Sequence, residues 1–217
     1  MKRMIGGWLL AVILVPALAQ AAVVEGKHYT AVPFPIAVET GNKVEVREIF
    51  WYGCPHCYTL EPGLASWLKK LPAHAQFVRT PGTVSARWAT HAQAYYTFET
   101  LGILEKVHGA FFKAVQEQKQ GELNDEKGIA EFAVRHGIDR AKFSEAFNSF
   151  GVRLKLEKAK QLNQDLNLDS VPSVVVDGKY LTSPAMAEGE AQFYKVLDEL
   201  ISKAAKERKK KPAKPKP

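Results

Sequence analysis

The sequence predicts an α/β fold in which an all-helical domain is inserted into a small sheet domain. Val44–Trp51 is rich in β-branched and aromatic residues, which is typical of a strand that is largely buried at its end. From residue 84 to about residue 167, apolar residues recur at helical spacing. Strand character then returns at Ser173–Asp177. Two parts of one sheet domain therefore flank a helical insertion.

The composition is that of an ordinary globular protein. The 217 residues are 46% apolar and 24% charged, which excludes a fully disordered, collagenous or coiled-coil chain. Cys54 and Cys57 are the only cysteines in the sequence. A scaffold of several disulfides is therefore excluded, and so is a four-cysteine zinc site within one chain.

The net charge of +7 is concentrated at the two ends of the chain. Residues 203–217 contribute +7, and Lys2 with Arg3 contributes +2, which leaves a net charge of −2 on the remainder. The body of the protein is thus slightly acidic. The charge does not indicate binding by the fold to nucleic acid, and no nucleic-acid partner is expected.

The first residues have the pattern of a cleavable secretory signal peptide. Two basic residues precede the apolar stretch Ile5–Leu18, and small residues follow at Ala19 and Ala21. We expect cleavage after Ala21, which makes residues 1–21 the signal peptide and places the protein in the periplasm. The alternative is an uncleaved membrane anchor, for which the apolar stretch is short. Export places both cysteines in an oxidising compartment.

The first predicted strand leads directly into a helix that contains both cysteines. Cys54 follows Val44–Trp51 closely, and Pro55 suits the first position of a helix, where its missing N–H would have no partner. Pro62 falls inside the predicted helix and is expected to kink it. Gln76–Arg79 is predicted to be a second, shorter strand.

The helical insertion contains several amphipathic patterns. Asn124 is expected to cap one helix, which Gly137 closes. Asp139 is expected to cap the next helix, whose apolar face holds Phe143, Phe147 and Phe150. A longer helix follows.

A hairpin and a final helix complete the sheet domain. Asp177-Gly178 is a strong turn signal between Ser173–Asp177 and a return strand at Lys179–Thr182. The stretch from Glu188 to about Lys206 is amphipathic and predicts a closing helix.

These elements predict the domain boundaries. The sheet domain is discontinuous and comprises residues 22–82 and 168–205, with the helical domain at 83–167. Residues 206–217 are rich in Lys and Pro and are predicted to form a disordered tail.

The quartet Cys54-Pro55-His56-Cys57 indicates thiol–disulfide exchange. Two cysteines three residues apart at the start of a helix can close a small disulfide ring, with Cys54 towards solvent and Cys57 one turn in. Unpaired N–H groups and the positive helix terminus stabilise a thiolate at Cys54. His56 can add a hydrogen bond or a positive charge. A stabilised thiolate favours the reduced form, which makes the disulfide a stronger oxidant.

Two other interpretations of the cysteine pair stay open. A bare C-x-x-C is often half of a zinc site, but no second pair exists and the other histidines lack ligand spacing, so the zinc would be shared across a dimer. A purely structural disulfide that closes so short a loop contributes little stability in the chain-entropy description. No metal and no organic cofactor are expected. Whether Pro172 is more than the first residue of a strand stays undecided from the residues alone.

The segment Phe50–Tyr58, with Val171-Pro172 and Asp177–Tyr180, closely resembles the DsbA family of periplasmic thiol:disulfide interchange proteins. The resemblance extends over essentially the whole chain after the signal peptide. It implies a thioredoxin-like fold with an inserted all-helical domain. Members of this family contain strongly oxidising C-x-x-C pairs. The resemblance alone implies that the Cys54–Cys57 pair is strongly oxidising as well.

The resemblance also implies roles for several residues. Val171 and Pro172 correspond to a cis-proline loop beside the disulfide, where an extended substrate pairs with backbone groups. Glu48 matches a buried acid beneath the active site, the alternative being a strand residue that faces solvent. Glu61 matches another acid, the alternative being a solvated helix position. Arg79 stands where the family often has Lys, and because Arg is always protonated, this departure counts against a proton relay there.

The implied function is that of a periplasmic dithiol oxidase. Cys54 is the attacked sulfur, Cys57 the buried resolving partner and His56, next to Pro55, the electrostatic tuner. The expected partners are unfolded exported proteins with free thiols and a DsbB-type membrane oxidase that reoxidises the pair, and a monomer is expected. The rival functions are an isomerase or reductase, a peptide-binding chaperone, and a zinc or copper carrier.

Overall fold

The computed structural model describes residues 23–117 and 121–210. The predicted signal peptide, residues 1–21, lies outside the described residues, as does the end of the predicted tail, residues 211–217. Within the described part of the chain, no helix is long and apolar enough to cross a membrane.

A five-stranded mixed sheet forms the centre of the first domain. Its strand order is β1-β5-β4-β2-β3, with bounds of Thr30–Ala31 for β1, Val44–Phe50 for β2, Ala75–Pro81 for β3, Ser173–Val176 for β4 and Tyr180–Thr182 for β5. Strand β2 is buried along its whole length, pairs in parallel with β3 and pairs antiparallel with β4. The two-residue β1 was not predicted, because a segment so short carries no period.

In the described part of the chain, seven helices pack around this sheet or lie between its strands in sequence. Their bounds are Pro55–Leu68 for α1, Ala86–Thr100 for α2, Leu104–Glu117 for α3, Glu126–Arg135 for α4, Arg140–Phe147 for α5, Phe150–Asp165 for α6 and Glu190–Lys210 for α7. Helices α2 to α6 lie between β3 and β4, so the predicted helical insertion into a sheet domain is confirmed. Helix α1 runs through Pro62 without ending there.

Two of the three apolar clusters among the described residues contain side chains of α1. One packs β2 and β4 against α1 and α7, with Leu64 and Leu197 fully buried in it. The other fills the helical insertion with aromatic side chains and reaches the end of β2 at Phe50 and Tyr52. Cys54 and Cys57 belong to this second core. The cysteine pair therefore lies where the helical insertion packs against the sheet domain.

Three predicted helix boundaries in the insertion need comment. Asp139 caps α5 as predicted, but Asp125 rather than Asn124 caps α4. The Asn124 side chain accepts a hydrogen bond from Arg87 at 2.7 Å, which leaves Asp125 to accept from the first turn. Phe150 does not lie on the apolar face of α5: it begins α6 and is 74% exposed.

The predicted tail boundary at residue 206 lies inside α7, which continues to Lys210. Glu207 accepts hydrogen bonds from Tyr180 and from Lys179. Arg208 donates to the buried Asp177 at 2.7 Å. These contacts to the β4–β5 hairpin hold the last turn of the helix, and composition alone did not reveal them.

Candidate active site

Cys54 is the residue that caps the amino end of α1. Its backbone is extended, Pro55 occupies the first turn, and its sulfur accepts the backbone N–H of Cys57 at 3.4 Å. Both cysteines are free thiols. Cys57 is fully buried and Cys54 is 7% exposed, so Cys54 is the more accessible sulfur but is less open to solvent than predicted.

The two thiols have opposite acidities although they are three residues apart. The pKa of Cys54 is lowered to about 6, first by a hydrogen bond from the Cys57 side chain and then by the backbone N–H groups of Cys57 and His56. The charge of His56 lowers it further, against the effect of burial. Burial raises the pKa of the Cys57 thiol well above its usual value, and the Cys54 sulfur adds to that rise. The pair therefore holds one thiolate, on Cys54.

The loop before β4 lies against the cysteine pair. The Cys54 sulfur lies 3.3 Å from the carbonyl oxygen of Val171, 117 residues away in the chain, and can donate to that oxygen only in its protonated form. The Val171-Pro172 peptide bond is cis. The structure thus places the predicted substrate loop beside the predicted nucleophile. Their separation in the chain gives no indication of this contact.

A buried ionic cluster lies beneath the pair. Glu48 is fully buried, and its Oε2 accepts from Arg79 Nε at 2.9 Å. The second guanidinium branch of Arg79 contacts both oxygens of Glu61 at 3.2 Å. Burial raises the pKa of Glu48 to about 7, which the positive charge of Arg79 opposes. Glu48 therefore faces inward, and Arg79 bridges two carboxylates.

Two residues of this cluster were not singled out from the sequence. His108 on α3 places Nε2 3.7 Å from Glu61, and its Nδ1 lies 2.8 Å from the Tyr52 hydroxyl. His108 and Arg79 also line a groove of about 870 Å³ that runs along the edge strand β3. The sequence signal for His108 was a histidine at helical spacing among the apolar residues of α3. A histidine with a purely structural role gives the same pattern, so the pattern does not identify a functional one.

An aromatic pair borders the active-site turn. The indoles of Trp51 and Trp88 stack with centroids 4.6 Å apart, and Arg87 lies over Trp51 at 5.4 Å. A Cβ atom at Gly53 would lie 2.2 Å from the Trp51 ring. A side chain immediately before Cys54 would therefore have to displace the Trp51 ring.

No group of three or more potential metal ligands occurs among the residues the structure describes. The arrangement is instead a nucleophilic thiolate, a buried second thiol, a backbone edge beside them and a carboxylate beneath.

A family model described as a DSBA-like thioredoxin domain matches residues 68–200. The matched range begins after the cysteine motif and covers β3, the helical insertion, β4, β5 and the first half of α7. The chain is similar to the thiol:disulfide interchange protein DsbA of Pseudomonas aeruginosa, at 39% identity over 82% of this chain and 84% of the relative. The protein of the same name from Burkholderia cepacia is 39% identical over 93% of this chain and 96% of the relative.

The chain is also similar in structure to solved proteins with these names. The crystal structure of Pseudomonas aeruginosa DsbA superposes with a TM-score of 0.81 at 38% identity, covering 87% of this chain and 97% of that one. The oxidoreductase NmDsbA1 from Neisseria meningitidis superposes with a TM-score of 0.77 at 26% identity, covering 88% of this chain and 98% of that one.

Proposed function

The chain belongs to the DsbA-like thioredoxin family and is a thiol:disulfide oxidoreductase, and from this premise we propose that it is a dithiol oxidase of the periplasm. In this role it donates the Cys54–Cys57 disulfide to newly exported proteins that carry free thiols.

The position of Cys54 at the amino end of α1, where the Cys57 side chain and backbone N–H groups lower its pKa to about 6, carries this proposal. The helix terminus and the Cys57 and His56 donors stabilise the Cys54 thiolate, a species that exists only in the reduced protein. Each pKa unit of such stabilisation corresponds to about 1.4 kcal/mol and to roughly 30 mV for a two-electron couple. A stabilised reduced form makes the disulfide a better electron acceptor, which is what an oxidase requires and a reductase avoids.

Disulfide transfer proceeds by two exchanges. A substrate thiolate attacks Cys54 Sγ, the bond between Cys54 and Cys57 breaks, and Cys57 leaves with the electron pair and takes up a proton. A second substrate thiolate then attacks the substrate sulfur of the mixed disulfide, and Cys54 leaves as a thiolate. The substrate gives up two electrons to the enzyme and two protons, of which Cys57 takes one and solvent the other, so the enzyme ends with a Cys57 thiol and a Cys54 thiolate.

The Val171-Pro172 loop is suited to hold the substrate during these steps. The Val171 carbonyl lies beside the reacting sulfur, so an extended peptide that crosses Cys54 meets a backbone edge there. Pro172 has no N–H and therefore places no competing donor near the sulfur. This arrangement favours recognition of the substrate backbone over recognition of particular side chains.

The remaining parts of the proposal rest on the family membership and the residue pattern. After transfer, a membrane oxidase of the DsbB type reoxidises the pair, and the protein acts as a monomer. Residues 1–21 direct export and are removed, consistent with the basic and apolar pattern at the start of the chain.

Thiol chemistry on the purified protein tests the proposal. We expect the reduced protein to show thiolate absorbance with a midpoint near pH 6 and to be alkylated by iodoacetamide on Cys54 and not on Cys57. The oxidised protein should convert a two-cysteine peptide to its disulfide in equal amounts, and Cys54→Ser should not. A Cys54 midpoint near that of a free thiol contradicts the oxidase function. Activity that survives alkylation of both cysteines points to a chaperone instead.

A further inference from the structure

The ionic cluster beneath Cys57 carries more negative than positive charge. Glu48 and Glu61 are both held by the single guanidinium of Arg79. Glu48 Oε1 is buried and has no hydrogen-bond partner among the described residues. The charge of Glu48 acts directly on the thiol of Cys57 and raises its pKa. Any group that changes the protonation of Glu48 or Glu61 therefore also affects the resolving thiol of Cys57.

Arg79 cannot supply that control because a guanidinium stays protonated throughout the working pH range. The next group along the contacts is His108, whose Nε2 lies 3.7 Å from Glu61 Oε1. His108 lines the groove beside β3, as Arg79 does, whereas Glu48 is fully buried. The His108 imidazole therefore lies between the buried cluster and the groove, with its Nε2 atom itself buried.

The orientation of His108 is set by Tyr52. Burial raises the pKa of Tyr52 well above its usual value, so its hydroxyl keeps its proton and can donate to His108 Nδ1 at 2.8 Å. With Tyr52 as the donor, the imidazole proton lies on Nε2, which is buried and has no hydrogen-bond partner in the part of the chain that the structure describes. The Nε2–H then points towards the carboxylate of Glu61. Such second contacts commonly decide which ring nitrogen carries the proton.

We propose that His108 is a positioning residue for disulfide exchange, which acts through Glu61 and Arg79 to set the protonation of Glu48 beneath Cys57. The role deepens the dithiol-oxidase function and rests on it. His108 donates towards Glu61 and so satisfies part of its negative charge. A larger share of the electrostatic attraction of Arg79 then acts on Glu48.

The charged groups around His108 together determine its protonation. Glu61 from α1 and Glu105 from its own helix favour the imidazolium, whereas burial and Arg79 from β3 oppose it. The centroids of the Tyr95 ring from α2 and of the Tyr52 ring lie 6.3 Å and 5.3 Å from that of the imidazole. Because Glu61 is the nearest negative group, the effect of His108 on Glu48 has to pass through it.

The test is the Glu48 titration in the reduced protein, followed by carboxyl carbon NMR. His108→Asn loses the donor towards Glu61, and we expect the Glu48 midpoint to rise by about half a pH unit or more. His108→Gln keeps an amide N–H near the Nε2 position and should restore most of the wild-type midpoint. His136→Asn replaces a half-buried histidine whose Nδ1 lies 2.9 Å from the Phe132 carbonyl oxygen and whose ring packs on Phe132, and it should leave the Glu48 midpoint unchanged.

The Glu61→Gln variant tests whether His108 acts on Glu48 through Glu61. His108→Asn should cause no further shift there, and an equal shift in both backgrounds overturns action through Glu61. Should His108→Asn not fold, Tyr52→Phe removes the hydroxyl that orients the ring, and the Glu48 midpoint should rise with it. An unchanged midpoint in the folded variant overturns the proposal.

Single-turnover oxidation of a two-cysteine peptide then links the cluster to exchange. Its pH profile should move with the Glu48 midpoint in His108→Asn and stay in place in His136→Asn. A shifted Glu48 midpoint with an unshifted pH profile removes His108 from the exchange reaction. Failure to oxidise the peptide at any pH, with the Glu48 titration behaving as expected, contradicts the oxidase function and not the cluster.

Discussion

At the scale of single residues, neighbouring side chains of one type differ sharply in chemistry because their surroundings differ. Cys54 at the helix terminus collects backbone N–H groups, whereas Cys57 one turn later is surrounded by apolar side chains. Glu48 and Glu61 share Arg79, yet burial raises the pKa of Glu48 while donors from His108 and Arg79 hold the pKa of Glu61 below its usual value against burial. The environment of each group, and not its type, sets its role.

His56 tunes Cys54 to a limited extent. Its charge is the smallest of the causes that lower the Cys54 pKa, and its backbone N–H contributes separately. His56→Ser keeps the N–H, so we expect the Cys54 pKa to rise by about half a unit and the equilibrium with glutathione to become about threefold less oxidising. Thiolate absorbance and glutathione titration measure both quantities. His136→Ser is the control, and an unchanged Cys54 pKa removes His56 from its assigned role.

Glu48 makes the stability of the reduced protein depend on pH. The folded-state pKa is raised from 4.5 to about 7, so the folded protein holds this proton more tightly than the unfolded chain does. Its contribution is most favourable below pH 4.5 and is lost as the pH rises through 7. Relative to Glu48→Gln, the wild-type protein should therefore lose on the order of 1 kcal/mol or more across this window.

Urea unfolding at several pH values checks this expectation. The exposed Glu117→Gln is the control and should follow the wild-type curve. A constant difference between wild type and Glu48→Gln over the whole window shows that Glu48 does not titrate there.

At the scale of elements, the turn between β2 and α1 is held by close packing. The Trp51 indole occupies the space that a side chain at Gly53 would need. Gly53→Ala must displace the indole from its stack on Trp88, and we expect a loss of about 1–3 kcal/mol of unfolding free energy. The near-ultraviolet circular dichroism of the tryptophans should change as well.

Gly109 supplies the matched control for that substitution. It lies in α3 with nothing within 4 Å of a Cβ atom, so Gly109→Ala should stabilise the protein slightly, by roughly 0.5–1 kcal/mol. Equal effects of the two substitutions contradict the packing explanation.

The last turn of α7 is held by ionic contacts to the β4–β5 hairpin. Asp177 is 5% exposed and accepts from Arg208 and Lys179. Arg208→Ala leaves Asp177 with Lys179 alone and should lower the unfolding free energy by about 1–3 kcal/mol. Thermal unfolding measures this loss, with the exposed Lys209→Ala as the control. Equal melting temperatures for the two variants show that the ionic contacts do not hold the turn.

At the scale of the whole molecule, the helical insertion supplies part of the active site. Gln116 on α3 donates to the backbone carbonyl of Tyr52 at 2.7 Å, and His108 contacts the Tyr52 hydroxyl. The aromatic core of the insertion continues through Tyr52 to both cysteines. The insertion therefore supports the turn that carries Cys54 and also forms one wall of the groove beside β3.

The sequence by itself determined the features that depend on neighbours in the chain. The spacing of Cys54 and Cys57 at a helix start, the Asp177-Gly178 turn and the helical periodicity of the insertion are local properties, and each is found where it was predicted. Asp125 caps α4 in place of the predicted Asn124, whose side chain instead accepts from Arg87, 37 residues away in the chain.

Only the tertiary structure decided which distant residues meet at the site. Val171 reaches Cys54 across 117 residues, and Arg79 reaches Glu48 across 31. His108 reaches Tyr52 across 56 residues. No periodicity or spacing encodes such pairs, because they arise when the sheet and the insertion pack together. Burial at that contact then sets the pKa of each group, and burial is a property of the fold and not of any segment.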